Sequence, residues 1–340
     1  MRKLLNTLYV TNPDAVLRKK DDALGVYLNG ERTLSVPFHL LEGVVIFGHA
    51  GCSASVLRAC ASRGIGVALL DESGRFQARV TGRTSGNILL RKSQFAAALD
   101  EERCLDVAKR FVMAKLHNSK IVLQHYGRDY ERIKPDIESA IRTIENEKDE
   151  AMSSRCLDEL RGVEGDAAHV YFGAMGVIIS AGKTGMEFSG RNRRPPRDPV
   201  NASLSLFYTL LAREVATACE TVGLDPQMGY LHACRPGRMS LALDLVEEMR
   251  APIVDRFVIS LFNRGQLDSD DFKKEGESVF FKDDKFKQVI GIWQQKKQEQ
   301  FMHPFLKERI PIGLLPMVQA QLFAKYIRGD INDYPACMWR

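Results

Sequence analysis

A histidine, a tight turn and three carboxylates share one twenty-residue stretch, LHACRPGRMSLALDLVEEMR at 231–250. His232 precedes a Pro236-Gly237 break, after which Ser240 can cap a helix with apolar positions at Leu241, Leu243, Leu245 and Val246. Asp244 lies three residues before Glu247 and four before Glu248, so the carboxylates fall on one helical face. Oxygen-rich ligation with a single imidazole suits Mg²⁺ or Mn²⁺ better than a closed zinc site, which favours cysteine. Cys234, two residues from His232, adds little weight to zinc. The alternative is a solvated helix laced by salt bridges, with Arg250 as the i+3 partner of Glu247.

A second carboxylate needs explaining. Glu164 sits among small and apolar residues in RGVEGDAAHVYFGAMG (161–176). Burying it unpaired costs on the order of several kcal/mol. An arginine salt bridge or a metal ion would each account for it. Asp166 and His169 lie at helical offsets that turn them away, so both read as structural, with His169 able to stand behind a ligand.

The stretch 182–199, GKTGMEFSGRNRRPPRDP, carries Lys183, Arg191, Arg193, Arg194 and Arg197 against Glu187 and Asp198. It reads as a solvated connection or as a basic loop that reaches phosphates. Gly182-Lys183-Thr184 is not an ATP-binding loop, because the glycine that motif needs five residues earlier is Val177. The lysines at 282, 285, 287, 296 and 297 alternate with acids and read as a solvated face.

Positioning these groups takes elements of two kinds. Short strands are predicted at 4–10, 15–18, 23–28, 32–37 and 43–47, with Asn29-Gly30 as a strong hairpin signal. A helix at 53–63 follows, then strands at 66–70 and 76–81 joined across a Glu72-Ser73-Gly74 turn. From residue 99 the apolar period changes from two to about 3.6. Helices are predicted over 99–126, 133–148, 153–181, 200–222, 239–263, 284–299 and 313–328. The expectation is an α+β protein: a small β-rich domain over 1–85, a linker at 86–94 and a larger all-α domain over 95–340.

Composition narrows the partners only mildly. A net charge of +5 permits a polyanionic partner without demanding one. The seven cysteines form no C-x-x-C pair and read as reduced, mostly buried thiols of a cytoplasmic protein. The N-terminus has no signal-peptide pattern, and no apolar run reaches the roughly 18 residues that span a bilayer.

The motifs RGVEGDAAHVYF, RNRRPPRDPVNASLSLFYTLL and GYLHACRPGRMSLALDLVEE together resemble the CRISPR-associated spacer-acquisition integrases, the larger subunit of the adaptation complex. The resemblance covers nearly the whole chain and is closest to subtype I-C members. It implies a β-sandwich-like N-terminal domain before the helical one. It also implies an Mg²⁺ or Mn²⁺ ion on Glu164, His232 and Glu247, with Asp244 beside it as an assisting carboxylate. The activity implied is attack of a DNA 3′-hydroxyl on a repeat phosphodiester, with hydrolysis if water replaces the hydroxyl. Double-stranded and branched DNA would be held by Arg191, Arg193, Arg194, Arg197, Arg235 and Arg238, with Tyr208 stacking on a DNA end or, alternatively, packing as core. The partners implied are a second copy, forming a homodimer, and a small adaptation protein that completes a hetero-hexamer. The competing readings are a stand-alone structure-selective nuclease and a non-catalytic DNA-binding scaffold.

Overall fold

Alternation of apolar residues builds the N-terminal strands, as their half-buried patterns require. The computed structural model describes residues 7–41, 43–71, 76–80, 82, 88–192 and 195–340. It begins with β1 (Thr7–Val10), β2 (Val16–Lys20), β3 (Ala23–Leu28), β4 (Glu31–Pro37), β5 (Gly43–Phe47) and β6 (Gly51–Cys52), then α1 (Ala54–Ser62), β7 (Gly66–Leu70) and β8 (Phe76–Val80). These strands form two four-stranded sheets, ordered β1-β5-β7-β8 and β4-β3-β2-β6. In the first sheet β1, β5 and β7 run parallel; in the second, β2, β3 and β4 form an antiparallel meander. Asn29 and Gly30 both take positive φ, 51° and 85°, which is the hairpin geometry their pairing predicts. Leu17, Leu24, Val44, Ile46, Val56, Cys60 and Val67 bring both sheets and α1 into one core. Residues 4–6, the 72–74 turn and Thr81 lie outside the described residues.

The helical part comprises α2 (Ile88–Leu99), α3 (Glu101–Asp129), α4 (Lys134–Ser153), α5 (Leu157–Ser180), α6 (Pro199–Val222), α7 (Ser240–Met249) and α8 (Arg256–Asn263). After these come β9 (Phe272–Glu275), β10 (Ser278–Phe281), α9 (Asp283–Gln298), β11 (Gln300–Met302), β12 (Arg309–Pro311) and α10 (Leu315–Arg328). The expected all-α character is corrected by the strand pairs β9-β10 and β11-β12, whose three- and four-residue strands are too short to impose a period of two.

Two compact units result: Met1–Gly86 with Asp283–Glu299 and Pro311–Leu314, and Asn87–Lys282 with Gln300–Ile310 and Leu315–Arg340. Helix α9 therefore belongs to the strand-rich unit and not to the helical one. Its Phe286 ring meets Phe47 edge-on at 4.8 Å, and Gln294 Nε2 donates to Thr7 O at 2.6 Å. Lys297, expected on a solvated face, is buried, with its ammonium 6.0 Å from the Tyr9 ring centroid.

Two further expectations change inside the helical unit. Most of the predicted linker 86–94 is α2; Leu90, Gln94 and Ala97 face inward at helical spacing, while residues 86 and 87 lie outside the described set. Gln94 fixes the loop ahead of the site by donating to Asp225 O and Met228 O and accepting from Asp225 N, all at 2.9 Å. The predicted helix 239–263 is α7, a π-turn at Arg250–Asp255, and α8. Pro252 has no N–H to close the ordinary α-helical bond, and the widened turn absorbs the defect. At the centre of this unit α3 packs against α4, α5 and α7 and buries Val107, Ala108, Phe111 and Val112.

Candidate functional site

The loop that carries His232 is held by one carboxylate. Asp244, fully buried on α7, accepts from the backbone N–H groups of Tyr230 (2.6 Å), Leu231 (3.1 Å) and His232 (3.0 Å). The same side chain accepts from His232 Nδ1 at 2.6 Å, which places the ring proton on Nδ1 and leaves the Nε2 lone pair outward. Gly229 is required here, because a Cβ would lie 2.8 Å from Asp244 Oδ2 and 2.6 Å from Ser240 Cβ. Pro236 and Gly237 occupy the centre of a β-turn closed by Arg238 N donating to Arg235 O at 3.0 Å, with Gly237 at φ +73°. Ser240 is not the expected cap. It is the first residue of α7, and its hydroxyl donates to Ala233 O at 3.1 Å.

His232 Nε2 points toward Glu247 Oε1 at 3.7 Å. Glu247 is buried and also pairs with Arg250 at 3.1 Å, the i+3 partner that spacing suggests, and with Lys115 of α3 at 2.9 Å. Lys115 pairs in turn with Glu164 of α5, so one ammonium bridges the two carboxylates. The partner of Glu164 is thus a lysine and not an arginine. Burial alone would raise the Glu247 pKa, but the positive charges of Arg250 and Lys115 outweigh it and hold it below the usual carboxylate range. Burial opposes the charge of Lys115, and Glu247 and Glu164 overcome it, so its pKa is raised. Arg161, one turn before Glu164, ties α5 to the histidine loop by donating to Leu231 O at 2.8 Å.

Glu164, His232 and Glu247 therefore converge from α5, a loop and α7. With Lys115 between the carboxylates, no three His, Cys, Asp or Glu side chains among the described residues stand ready to share one ion. The donor set nevertheless fits a hard divalent cation. It comprises two carboxylates and one imidazole with its Nε2 lone pair outward, and the space between the carboxylates already holds a cationic group.

Lys115 escaped the sequence reading, although a signal existed. It continues the buried stripe Ala108, Phe111, Val112, so it is as anomalous on α3 as Glu164 is on α5.

Tyr208 is half-buried, with its ring close to two guanidinium groups. Its hydroxyl donates to buried Asp255, and the guanidinium carbons of Arg250 and Arg191 lie 5.0 and 5.4 Å from its centroid. Tyr171 OH also donates to Asp255, at 3.0 Å. Burial raises the Asp255 pKa to about 6 despite these bonds. Of the proposed phosphate contacts, Arg191 is engaged by Asn201 Oδ1 (2.7 Å) and Ser205 Oγ (3.0 Å). Arg197 is exposed and pairs with Glu277 at 3.1 Å. Arg235 is exposed and Arg238 half-buried at the turn beside His232, and Lys183 is exposed. Arg193 and Arg194 lie outside the described residues. Asp166 and His169 are exposed, as their offsets imply. Cys60, Cys104, Cys219 and Cys337 are buried, and Cys156 and Cys234 exposed.

Glu248 faces away from the site. It accepts from Tyr334 OH (2.5 Å), from Gln319 Nε2 (3.0 Å) and from the backbone N–H of Cys337. Asn118 on α3 binds the same C-terminal segment, donating to Cys337 O at 2.8 Å and accepting from Trp339 N at 2.8 Å. Burial outweighs the three hydrogen bonds and raises the Glu248 pKa from 4.5 to about 7. The folded protein then holds a proton that the unfolded chain releases. This contribution is fully present below the unfolded pKa and is lost as pH rises toward 7. Urea titrations should show wild-type stability falling more steeply than that of Glu248→Gln across this window, by up to roughly 1 kcal/mol per pH unit. Parallel profiles would assign the proton elsewhere.

The chain as a whole is similar to known proteins. Residues 8–295 match the family described as CRISPR associated protein Cas1. The CRISPR-associated endonuclease Cas1 2 of Rhodospirillum rubrum is 44% identical over 347 residues, covering 100% of each chain. Among solved structures, "Casposase bound to integration product" aligns with a TM-score of 0.85 at 23% identity, covering 99% of this chain and 95% of that one. The "Cas6-RT-Cas1–Cas2 complex" gives 0.84 at 20%, covering 98% and 36%. These two likenesses bear on the fold, a strand-rich region followed by a helical domain. No helix among the described residues is long and apolar enough to cross a membrane. The family match spans most of the sequence and the bacterial relative aligns along all of it, so the chain belongs to the CRISPR-associated Cas1 family.

Proposed function

We propose that this chain is a divalent-metal-dependent DNA integrase and endonuclease that inserts new spacers into a CRISPR array, with Glu164, His232 and Glu247 as ligands of Mg²⁺ or Mn²⁺. The observation that carries the reading is the convergence of two carboxylates and an outward imidazole Nε2 on a space already suited to a cation. Family membership supports it, as does the likeness to a casposase described as bound to its integration product. When bound, the ion would polarise a repeat phosphodiester and lower the pKa of the attacking 3′-hydroxyl or water. Asp244 fixes the His232 tautomer, Arg250 keeps Glu247 ionised in place against the cost of its burial, and the exposed arginines at the turn and loop hold phosphates. One phosphodiester is exchanged for another, so no nucleotide cofactor is required.

The assembly proposed is a homodimer acting with a small adaptation partner in a hetero-hexamer, on double-stranded and branched DNA in the cytoplasm. The likeness to a chain of a Cas1–Cas2 complex supports that partner, and placement in subtype I-C rests on the sequence motifs. The ion pairs of Lys115 favour the scaffold reading as the second choice.

The test is joining of a short duplex to a repeat-containing plasmid, with the small partner supplied. Wild type should join with Mn²⁺ and stop with chelator, and Glu164→Ala or His232→Ala should each lower joining at least about a hundredfold. Retained joining in both variants would remove these residues from the chemistry. Cleavage without joining would favour the stand-alone nuclease.

A further inference from the structure

Lys115 stands at the centre of the site assigned above to a metal ion. Its side chain is 13% exposed, yet its ammonium lies between the two carboxylates assigned above to one cation. Glu247 retains a second cationic neighbour, Arg250, whereas Lys115 is the only ion-pair partner found for Glu164 among the described residues. One positive charge on a flexible stem thus occupies the place where a divalent ion would draw the same oxygens together. A small cavity of about 20 Å³, partly open to solvent, adjoins this point and is lined by Lys115, Ala167, Tyr171, Tyr208, Arg250 and Asp255. It has room for one group about the size of a water molecule or an ammonium.

We propose that Lys115 is a displaceable internal counter-cation: it holds Glu164 and Glu247 together while the site lacks metal, and it swings into the adjoining cavity when a divalent ion binds. This inference rests on the metal-site reading above and concerns how that site is filled. Two like charges cannot share the carboxylate oxygens without strong repulsion at such short range. Metal binding therefore has to expel the ammonium, and the intrinsic affinity of the three ligands is reduced by that competition. The lysine also spares the apoprotein two buried carboxylates facing each other unpaired. Removing a residue that merely supports the site would loosen it and weaken metal binding. Removing a competitor strengthens metal binding, so the two roles predict opposite signs.

The experiment is Mn²⁺ titration of the full-length protein by calorimetry and by electron paramagnetic resonance, with no DNA present. Lys115→Met should bind Mn²⁺ at least about tenfold more tightly than wild type. Its metal-free melting temperature should be lower, and its rise on adding Mn²⁺ larger. Lys115→Arg keeps the charge and should bind no more tightly than wild type. A second measurement does not depend on the folding of any variant. In wild type, modification of Lys115 by an amine-reactive reagent, read by mass spectrometry, should increase severalfold when Mn²⁺ is added. Equal or weaker Mn²⁺ binding by Lys115→Met, or labelling of Lys115 that Mn²⁺ leaves unchanged, would overturn the proposal. Glu164→Ala separates the two layers. If wild type binds Mn²⁺ no better than Glu164→Ala, the metal-site reading itself fails; if wild type binds better but Lys115 behaves as just stated, only the counter-cation inference fails.

Discussion

Glu247→Gln is expected to lower DNA joining about a thousandfold, the largest single-residue effect in the molecule. The amide has nearly the same shape but cannot supply an anionic oxygen to a metal ion, and Lewis-acid assistance is worth several kcal/mol of barrier, at about 1.4 kcal/mol per factor of ten. The carboxylate also neutralises Lys115 at 2.9 Å and Arg250 at 3.1 Å in a buried setting. Breaking such a cluster from one side costs on the order of 3–5 kcal/mol of stability. Joining should therefore be measured well below the melting transition, with circular dichroism confirming the fold. Joining within tenfold of wild type by a folded variant would place the chemistry elsewhere.

Asp244→Ala is expected to fail in a different way. The side chain holds three backbone N–H groups and His232 Nδ1, and alanine leaves all four donors without their acceptor. Each orphaned buried donor costs roughly 1–3 kcal/mol, partly recovered as the loop relaxes. Mn²⁺ affinity should fall roughly 10–100-fold, the usual effect of losing the carboxylate behind a histidine ligand. Asp244→Asn keeps one acceptor and should fall between. The decisive comparison is affinity against stability: a variant that loses stability but binds Mn²⁺ normally would make Asp244 a loop anchor with no influence on the histidine.

Much of this was legible in the residues, for identifiable reasons. Strands with clean alternation and helices longer than two turns declare their period, so β2 to β5 and α3 to α6 lie close to where spacing predicts them. Glu164 declared itself by being acidic on an apolar face. What escaped depends on distant chain. Neighbouring helical residues point about 100° apart, so Glu247 and Glu248 cannot both face one site. Which of them does so is decided by Tyr334 and Cys337, 86 and 89 residues further on. The widened turn was written in Pro252, but a proline inside a helical pattern can also kink or end it. Helix α2 was hidden by Gly82, Ser85 and Gly86 just before it, and α9 joins the strand-rich unit through an apolar face whose target its own period does not name.

The clamp of Asn118 and Glu248 on the C-terminal segment also has a kinetic side. Asn118 meets Cys337 across 219 residues of sequence and Trp339 across 221. At synthesis rates of about 5–20 residues per second, α3 spends roughly 10–45 seconds without these partners. Once Glu247 has been made, and until the C-terminal segment follows it, the pairing of Lys115 with Glu247 has only helix packing to hold its register. The final geometry of the site is thus set by one of the longest loop closures in the chain, a late event on the folding path.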